Sequence, residues 1–429
     1  MGEMEVSRRA LLRVFGGGAV AAMGVAAAGC GSDSGQTVPA NPDDVSGKVT
    51  MWIYPIDATH EKDWWPAQIE AFRKQYTKVD VTVTVQPWAD RDTKLTTAIA
   101  GDTGPDVVYL IPDQLPQYAQ SGSLADVSDV IASDKSDFRP NALDAMTYND
   151  TLYGVPILMG GTGTLINKKV MAAAGITQTP ASWDDMLAIA PALKAKGYYL
   201  TEYEADPAQT LNLTFYPLLW EAGGEVLSPD GKSAAFNSPA GVATLSYLKQ
   251  LVDGGYVPTQ PLTKTPPTES DPVAHGKVAV VTEFGVSDLF TMPGVNLADW
   301  EVVAPLKKTV AVGYGVVGGL SVLEGAQNKV AAKAWVKWLA SPDQLKAFDK
   351  DRKYFSPRVS VGALFAGDPL TGAAEKFTDD TKSGEINPKA RQVMDLIKPE
   401  IQATLLGHKS VTAALDSAAK SVNDLLARG

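Results

Sequence analysis

Lys48-Val49-Thr50-Met51-Trp52-Ile53-Tyr54 is an apolar, β-rich run, and the segments on its C-terminal side set the class of the protein. A helical segment runs from about Glu61 to Gln75, and Val79 to Gln86 then alternates valine and threonine as a half-buried strand does. A second helical segment spans about Ala89 to Ala100. Gly101-Asp102-Thr103-Gly104 then turns the chain into a buried strand from Asp106 to Ile111. Strands that alternate with helices indicate βαβ units, so these residues predict an α/β protein with mostly parallel sheet.

Further along, the helices carry their own punctuation. Ser182-Trp183-Asp184-Asp185 resembles a capping box, with Met186, Ile189 and Leu193 on one face and Gly197 as the stop. Ser238-Pro239 starts another helix, with Val242, Leu245 and Val252 expected inward and Gly254-Gly255 at its end; Ser341-Pro342 repeats the device. Trp52, Trp183, Trp335 and Trp338 lie in regular elements and are expected in the core, whereas Trp64-Trp65 could cap a helix or line a cleft. No internal repeat is present.

The chain has 429 residues, 45% hydrophobic and 20% charged, with a net charge of −11. That balance excludes disorder, and the length allows two or three domains. A net acidic chain without a long Lys/Arg run lacks the footprint that phosphate backbones demand, so no nucleic-acid partner is expected. With one cysteine, Cys30, and three dispersed histidines, neither a disulfide framework nor a zinc site is expected, and no cofactor is.

Ser7-Arg8-Arg9-Ala10-Leu11-Leu12-Arg13 opens a positive region, Val14 to Ala28 is apolar, and Ala27-Ala28-Gly29-Cys30 comes directly after. The apolar run is shorter than the roughly 20 residues a bilayer span needs. Residues 1–29 therefore read as an export signal, and 30–44, rich in Gly, Ser, Asp and Pro, as a flexible tether. The signal resembles a twin-arginine leader ending in a bacterial lipoprotein box, which implies a lipid on Cys30 and a protein held on the outer face of the cell membrane. Leu11 stands where that leader usually has Phe.

Other motifs are weak. Gly160-Gly161-Thr162-Gly163 lacks the Gly-Lys-Ser/Thr ending of a phosphate loop and the spacing of a dinucleotide fingerprint. No GxSxG elbow occurs, and acid pairs such as Glu202/Glu204 or Asp184/Asp185 usually form a solvated face. A glycosidase needs two carboxyls at a set separation, which spacing along the chain does not settle.

Across nearly all of the remaining chain the order of motifs resembles a family 1 extracellular solute-binding protein of an ABC importer, the maltose/maltodextrin-binding superfamily. The segments that carry the likeness are Lys94-Leu95 with Ala98 to Asp102 and Gly104-Pro105-Asp106-Val107-Val108; Tyr118 to Leu124; Tyr153-Gly154-Val155-Pro156; and Leu165-Ile166-Asn167-Lys168. Pro180 to Asp185, Leu219-Trp220-Glu221-Ala222-Gly223-Gly224, Phe236 to Pro239, His275 to Val280 and Gly318 to Val322 complete it, with Asn328-Lys329 before the helix Ala331 to Leu339.

The resemblance implies a type II periplasmic-binding fold: two α/β lobes, each with a mostly parallel sheet flanked by helices, joined by three crossing segments. The lobes would comprise 45–157 with 318–353, and 163–313 with 359–429, the crossings being 158–162, 314–317 and 354–358. It further implies a monomer, not an enzyme, that holds a carbohydrate between the lobes and hands it to permease subunits.

Sugar hydroxyls need carboxylates and amides, and sugar faces need aromatic plates. By correspondence the ligand-binding residues are Tyr54, Asp57, Trp88, Asp113, Gln114, Gly160, Gly161, Thr162, Tyr216, Trp220, Glu283, Phe284, Tyr314, Gly318, Gly319 and Arg358. Gly160 stands where maltodextrin binders carry a carboxylate, which weakens a claim for maltose itself. A glycerol phosphate or other polyol phosphate, held by Arg358 and glycine backbone, is the second reading, and a lipid-anchored glycosidase the third.

Overall fold

The computed structural model describes residues 37–56, 61–88, 90–161, 163–207, 209–266 and 270–428. Cys30, Asp57 and Thr162 lie outside the described residues. The strands are β1 Gly47–Ile53, β2 Val79–Val85, β3 Val107–Leu110, β4 Thr147–Tyr148, β5 Thr151–Leu152, β6 Val155–Met159, β7 Thr164–Asn167, β8 Val280–Val281, β9 Trp300–Val303, β10 Gly313–Tyr314, β11 Val317–Val322 and β12 Thr381–Lys382. β1, β2, β3, β6 and β11 form one sheet in the order β2-β1-β3-β11-β6, and β7, β8 and β9 form a second in the order β8-β7-β9.

The sheets are less parallel than the β/α alternation predicts. β1 runs parallel to β2 and β3, as the opening stretch requires, but β11 is antiparallel to both β3 and β6, and β7 is antiparallel to β8 and β9. The cause is topological. The chain leaves the first sheet at Met159 and returns to it at Val317 from the same end, so the returning strand must run against its neighbours. No local signal reports that return.

Two apolar cores form, and the first also takes in Leu165, Val281, Trp300 and Val302 from the second sheet. Val49, Met51, Ile53, Leu110 and Trp335 are almost fully buried in the first, where Trp335 Nε1 points at Met51 Sδ at 3.2 Å and its ring meets Phe72 edge-on. Trp183, Phe215, Leu219, Leu245 and Ile397 fill the second. Side chains of this size contribute about 1.5–3 kcal/mol each when fully buried.

Capping agrees closely with the sequence. Ser182 Oγ accepts from the Asp185 N–H at 3.2 Å and starts the helix Trp183–Ala195, and Ser238 Oγ accepts from Gly241 N–H at 3.4 Å to start Pro239–Asp253. On the second helix Val242 is exposed rather than inward, because the buried face runs through Leu245, Leu248 and Leu251. Trp65 is buried and Trp64 half-buried against Phe348, with Arg352 over the Trp64 ring at 4.5 Å. That pair belongs to packing. Among the described residues no helix is long and apolar enough to cross a membrane.

Candidate functional site

Between the two sheets a cavity of about 290 Å³ opens at the crossing segments. Gly160 and Gly161 form part of its wall where the chain leaves β6, Tyr314 and Val316 line it where the chain returns, and Tyr354 lines it at the third crossing. Leu213 and the start of the helix Val286–Thr291 close it from the second lobe. A Cβ on Gly160 would stand 2.7 Å from Val316 Cγ1, so backbone faces the space at that point.

Beside this cavity the two lobes touch through charge. Asp113 lies just past β3, and Gln114 starts the short helix Leu115–Gln120. Arg391, in the first turn of the helix Ala390–Leu405, reaches across from the second lobe. Its NH1 lies 3.1 Å from Asp92 Oδ2 and its NH2 3.4 Å from Asp113 Oδ1. Asn212 donates to Asp113 Oδ2 at 3.5 Å, and Gln114 Nε2 donates to Asp92. Two carboxylates thus share the site with Arg391 and with Arg91, which lies 4.0 Å from Asp92. The local charge is balanced.

An aromatic plate adjoins this cluster. Tyr54 and Trp88 stack with ring centroids 4.9 Å apart, Tyr109 meets both edge-on, and Trp88 Nε1 donates to the Pro55 carbonyl at 2.8 Å. The Arg91 guanidinium sits 4.7 Å from the Trp88 ring centroid. Trp88 is 40% exposed, unusual for tryptophan and consistent with a face kept open.

The structure therefore brings Tyr54, Trp88, Asp113, Gln114, Gly160, Gly161 and Tyr314 to one region, with Tyr216 buried close enough to Asp113 to feel its charge. Trp220 lies 6.1 Å from Tyr216, under Lys382, and is no part of the cavity wall. Phe284 is half-buried and precedes the cavity-lining Gly285.

Three sites need correction. Arg358 is 3% exposed and committed elsewhere: its NH2 meets Asp134 at 2.8 Å, its NH1 meets Asp137 at 3.0 Å, and its Nε donates to the Ala340 carbonyl at 2.6 Å. Its guanidinium also lies over Phe138, so it reaches no cleft. Gly318 and Gly319 are interior residues of β11. A Cβ on Gly318 would fall 2.0 Å from the Tyr109 hydroxyl, and one on Gly319 2.6 Å from Met146 Sδ. Both are small because neighbours press on the sheet. Gly318 thereby seats the ring behind the Tyr54–Trp88 plate.

Glu283 sits in a separate acidic cluster. Its Oε2 accepts from the Glu204 N–H at 3.0 Å, and burial, with Glu202 and Glu204 nearby, drives its carboxyl well above the carboxylate range. Burial, then Asp271 and Glu204, pushes Glu202 up to about 8; burial, then Asp271 and Asp206, pushes Glu204 to about 7. Among the described residues no group of acids, cysteines or histidines is arranged to hold a metal.

Carboxyls raised this way bind protons in the folded state that the unfolded chain has already lost above about pH 4.5. Stability contributed by their neutral form is present below that pH and is lost as pH rises toward 8. We expect the melting temperature to fall between pH 5.5 and 8.5, and Glu202→Gln to flatten that slope. A slope unchanged in the variant, read by differential scanning calorimetry, would contradict the assignment.

Reasoning from sequence misses Arg91, Asp92, Asn212, Leu213 and Arg391. Arg391 does carry a signal: a cation in the first turn of a helix opposes the helix dipole and needs anions to hold it there. Asp92 and Asp113 supply them.

The model of the bacterial extracellular solute-binding protein family matches residues 58–346. A diacetylchitobiose binding protein of Streptomyces coelicolor is 28% identical over 354 residues, covering 77% of each chain. The crystal structure of a cyclic alpha-maltosyl-1,6-maltose binding protein from Arthrobacter globiformis superposes with a TM-score of 0.78 at 24% identity, over 90% of this chain and 100% of the other. An ABC transporter solute-binding protein from Thermotoga lettingae, bound with alpha-D-tagatose, gives 0.73 at 22% identity, over 89% of this chain and 100% of the other. These likenesses show a two-lobed α/β fold shared with solute-binding proteins. Since the family model spans about two thirds of the residues, the chain belongs to the bacterial extracellular solute-binding protein family.

Proposed function

We propose that the protein captures a carbohydrate, from mono- to oligosaccharide, between its lobes and delivers it chemically unchanged to the permease of an ABC importer. The observation that carries this reading is the polar inventory beside the cavity. Gln114 Oε1, Asn212 Oδ1, the Tyr216 hydroxyl and Arg391 Nε are all buried without a hydrogen-bond partner among the described residues. Buried polar groups left unpaired cost about 1–3 kcal/mol each. A ligand that both donates and accepts at short intervals would relieve them, and hydroxyls on a ring do so. The balanced charge around Asp113 suits a neutral molecule, and the exposed face of Trp88, backed by Tyr54, suits an apolar ring face.

The relatives support the reading, since the named ones bind diacetylchitobiose, a cyclic maltosyl-maltose and tagatose. A polyol phosphate fares worse, because Arg358, the cation assigned to it, is spent on Asp134 and Asp137. In this reading the lobes are 45–157 with 318–353 and 163–313 with 359–429, joined at 158–162, 314–317 and 354–358, with the Arg358 side chain at the end of the third crossing turned onto first-lobe residues. A lipid on Cys30 would tether the protein outside the membrane.

A thermal-shift screen over mono- and disaccharides tests the proposal, because a ligand that binds only the folded state raises its melting point by mass action. At 100 times Kd the gain is about 2.7 kcal/mol. A positive shift with a saccharide, the sugar being recovered intact, supports capture. Shifts confined to inorganic phosphate or glycerol phosphate, or release of reducing ends, would refute it.

A further inference from the structure

We propose that Arg391 is a gate that sets the length of saccharide the protein accepts, an inference that rests on the carbohydrate reading above. The cavity at the crossing segments measures about 290 Å³. That lies at the low end of small-molecule sites, so a longer saccharide would extend beyond it.

The face of Trp88, 40% exposed and backed by the buried Tyr54 ring, lies outside this cavity and can take a further sugar ring. The Arg391 bridge stands where the two adjoin. Tyr314 lines the cavity and its ring feels the charges of Asp113, Arg391 and Arg91. Tyr54, on the plate side, feels Asp92 and Arg391. Leu213 lines the cavity while its neighbour Asn212 donates to Asp113. A chain that filled the cavity and also covered the plate would have to pass the line from Asp92 through Arg391 to Asp113.

The bridge is built to yield. The side chains of Arg391 and Asp92 are 36% and 32% exposed, and ion pairs of that exposure are worth about 0–1 kcal/mol. Arg391 also stands in the first turn of its helix, where the dipole works against its charge. The gate therefore costs little to open for a ligand that repays it on the plate, but it disfavours any chain whose extra ring gains less.

The test is isothermal titration of the wild type, Arg391→Ala and Asp92→Asn with two series, glucose to maltohexaose and N-acetylglucosamine to its tetramer. Asp92→Asn removes the shorter of the two cross-lobe pairs, leaving Asp113, and does not alter Arg391, so agreement between the variants excludes an effect of the missing side chain alone. In whichever series binds, the ratio of short-chain to long-chain Kd should move about two- to fivefold toward the longer members in both variants. Inter-lobe distance by double spin labelling, without ligand, should lengthen in both and in the wild type at high salt.

An unchanged ratio in folded variants overturns the gate while leaving the carbohydrate reading intact, and so does an unchanged distance. A folded wild type that binds no member of either series and no sugar in the thermal screen overturns both.

Discussion

Arg358→Ala is expected to lower the unfolding free energy by about 2–3 kcal/mol, through loss of a buried guanidinium whose charged hydrogen bonds reach the partly exposed Asp134 and Asp137. The side chain is 3% exposed and makes four contacts: Asp134 at 2.8 Å, Asp137 at 3.0 Å, the Ala340 carbonyl at 2.6 Å and the face of Phe138. Truncation strands two carboxylates and a carbonyl at once. It also loosens the segment after Phe355, which exchanges backbone hydrogen bonds of 2.8 and 2.7 Å with Met159 at the base of the cleft. Arg358→Lys should recover only part of the loss, since an ammonium cannot span three acceptors as a planar fork does. Urea unfolding of both variants reads the effect. A loss below about 1 kcal/mol for alanine, or saccharide affinity abolished in protein that remains folded, would restore Arg358 to the binding site.

Asp113→Ala should show the opposite pattern, with binding lost and the fold kept. Its carboxylate lies just past β3 at the meeting of the lobes and is 8% exposed. Its contacts to Asn212 and Arg391, at 3.5 and 3.4 Å, are long, and Arg391 retains Asp92 at 3.1 Å when Asp113 is removed. The melting point without ligand should therefore move by less than about 2 °C, which for a chain of this length corresponds to roughly 1–2 kcal/mol. A hydroxyl donating to a carboxylate contributes about 1.5–3 kcal/mol, so losing one strong bond or two weaker ones should weaken saccharide binding roughly 100-fold. Calorimetric titration of the saccharide found by screening gives the answer. Affinity within threefold of the wild type would remove Asp113 from the ligand contacts.

These two residues show how far the chain can be read from its letters. Asp113 is proposed from the resemblance, which puts a polar pair just past the buried strand, and the structure sets its carboxylate at the meeting of the lobes. Arg358 is misread because its partners, Asp134 and Asp137, lie more than two hundred residues earlier in a segment with no regular period. A guanidinium near a crossing segment looks the same in sequence whether it faces a ligand or two internal carboxylates. Gly318 and Gly319 mislead for a related reason: a glycine made necessary by the Tyr109 hydroxyl or Met146 Sδ is indistinguishable, in one dimension, from a glycine that admits a ligand.

Local interactions are settled by sequence alone. Val79 to Val85 alternates and becomes a strand, Ser182 and Ser238 cap the helices they precede, and Lys48 to Ile53 pairs parallel with the strand one helix later. Each depends on neighbours within a turn, a cap or one βαβ unit, so the period of the residues suffices. The direction of β11, the commitment of Arg358 and the meeting of Arg391 with Asp92 and Asp113 are decided only by tertiary structure. They depend on which distant segments the crossings bring together, and charge acts through space without leaving a period in the chain.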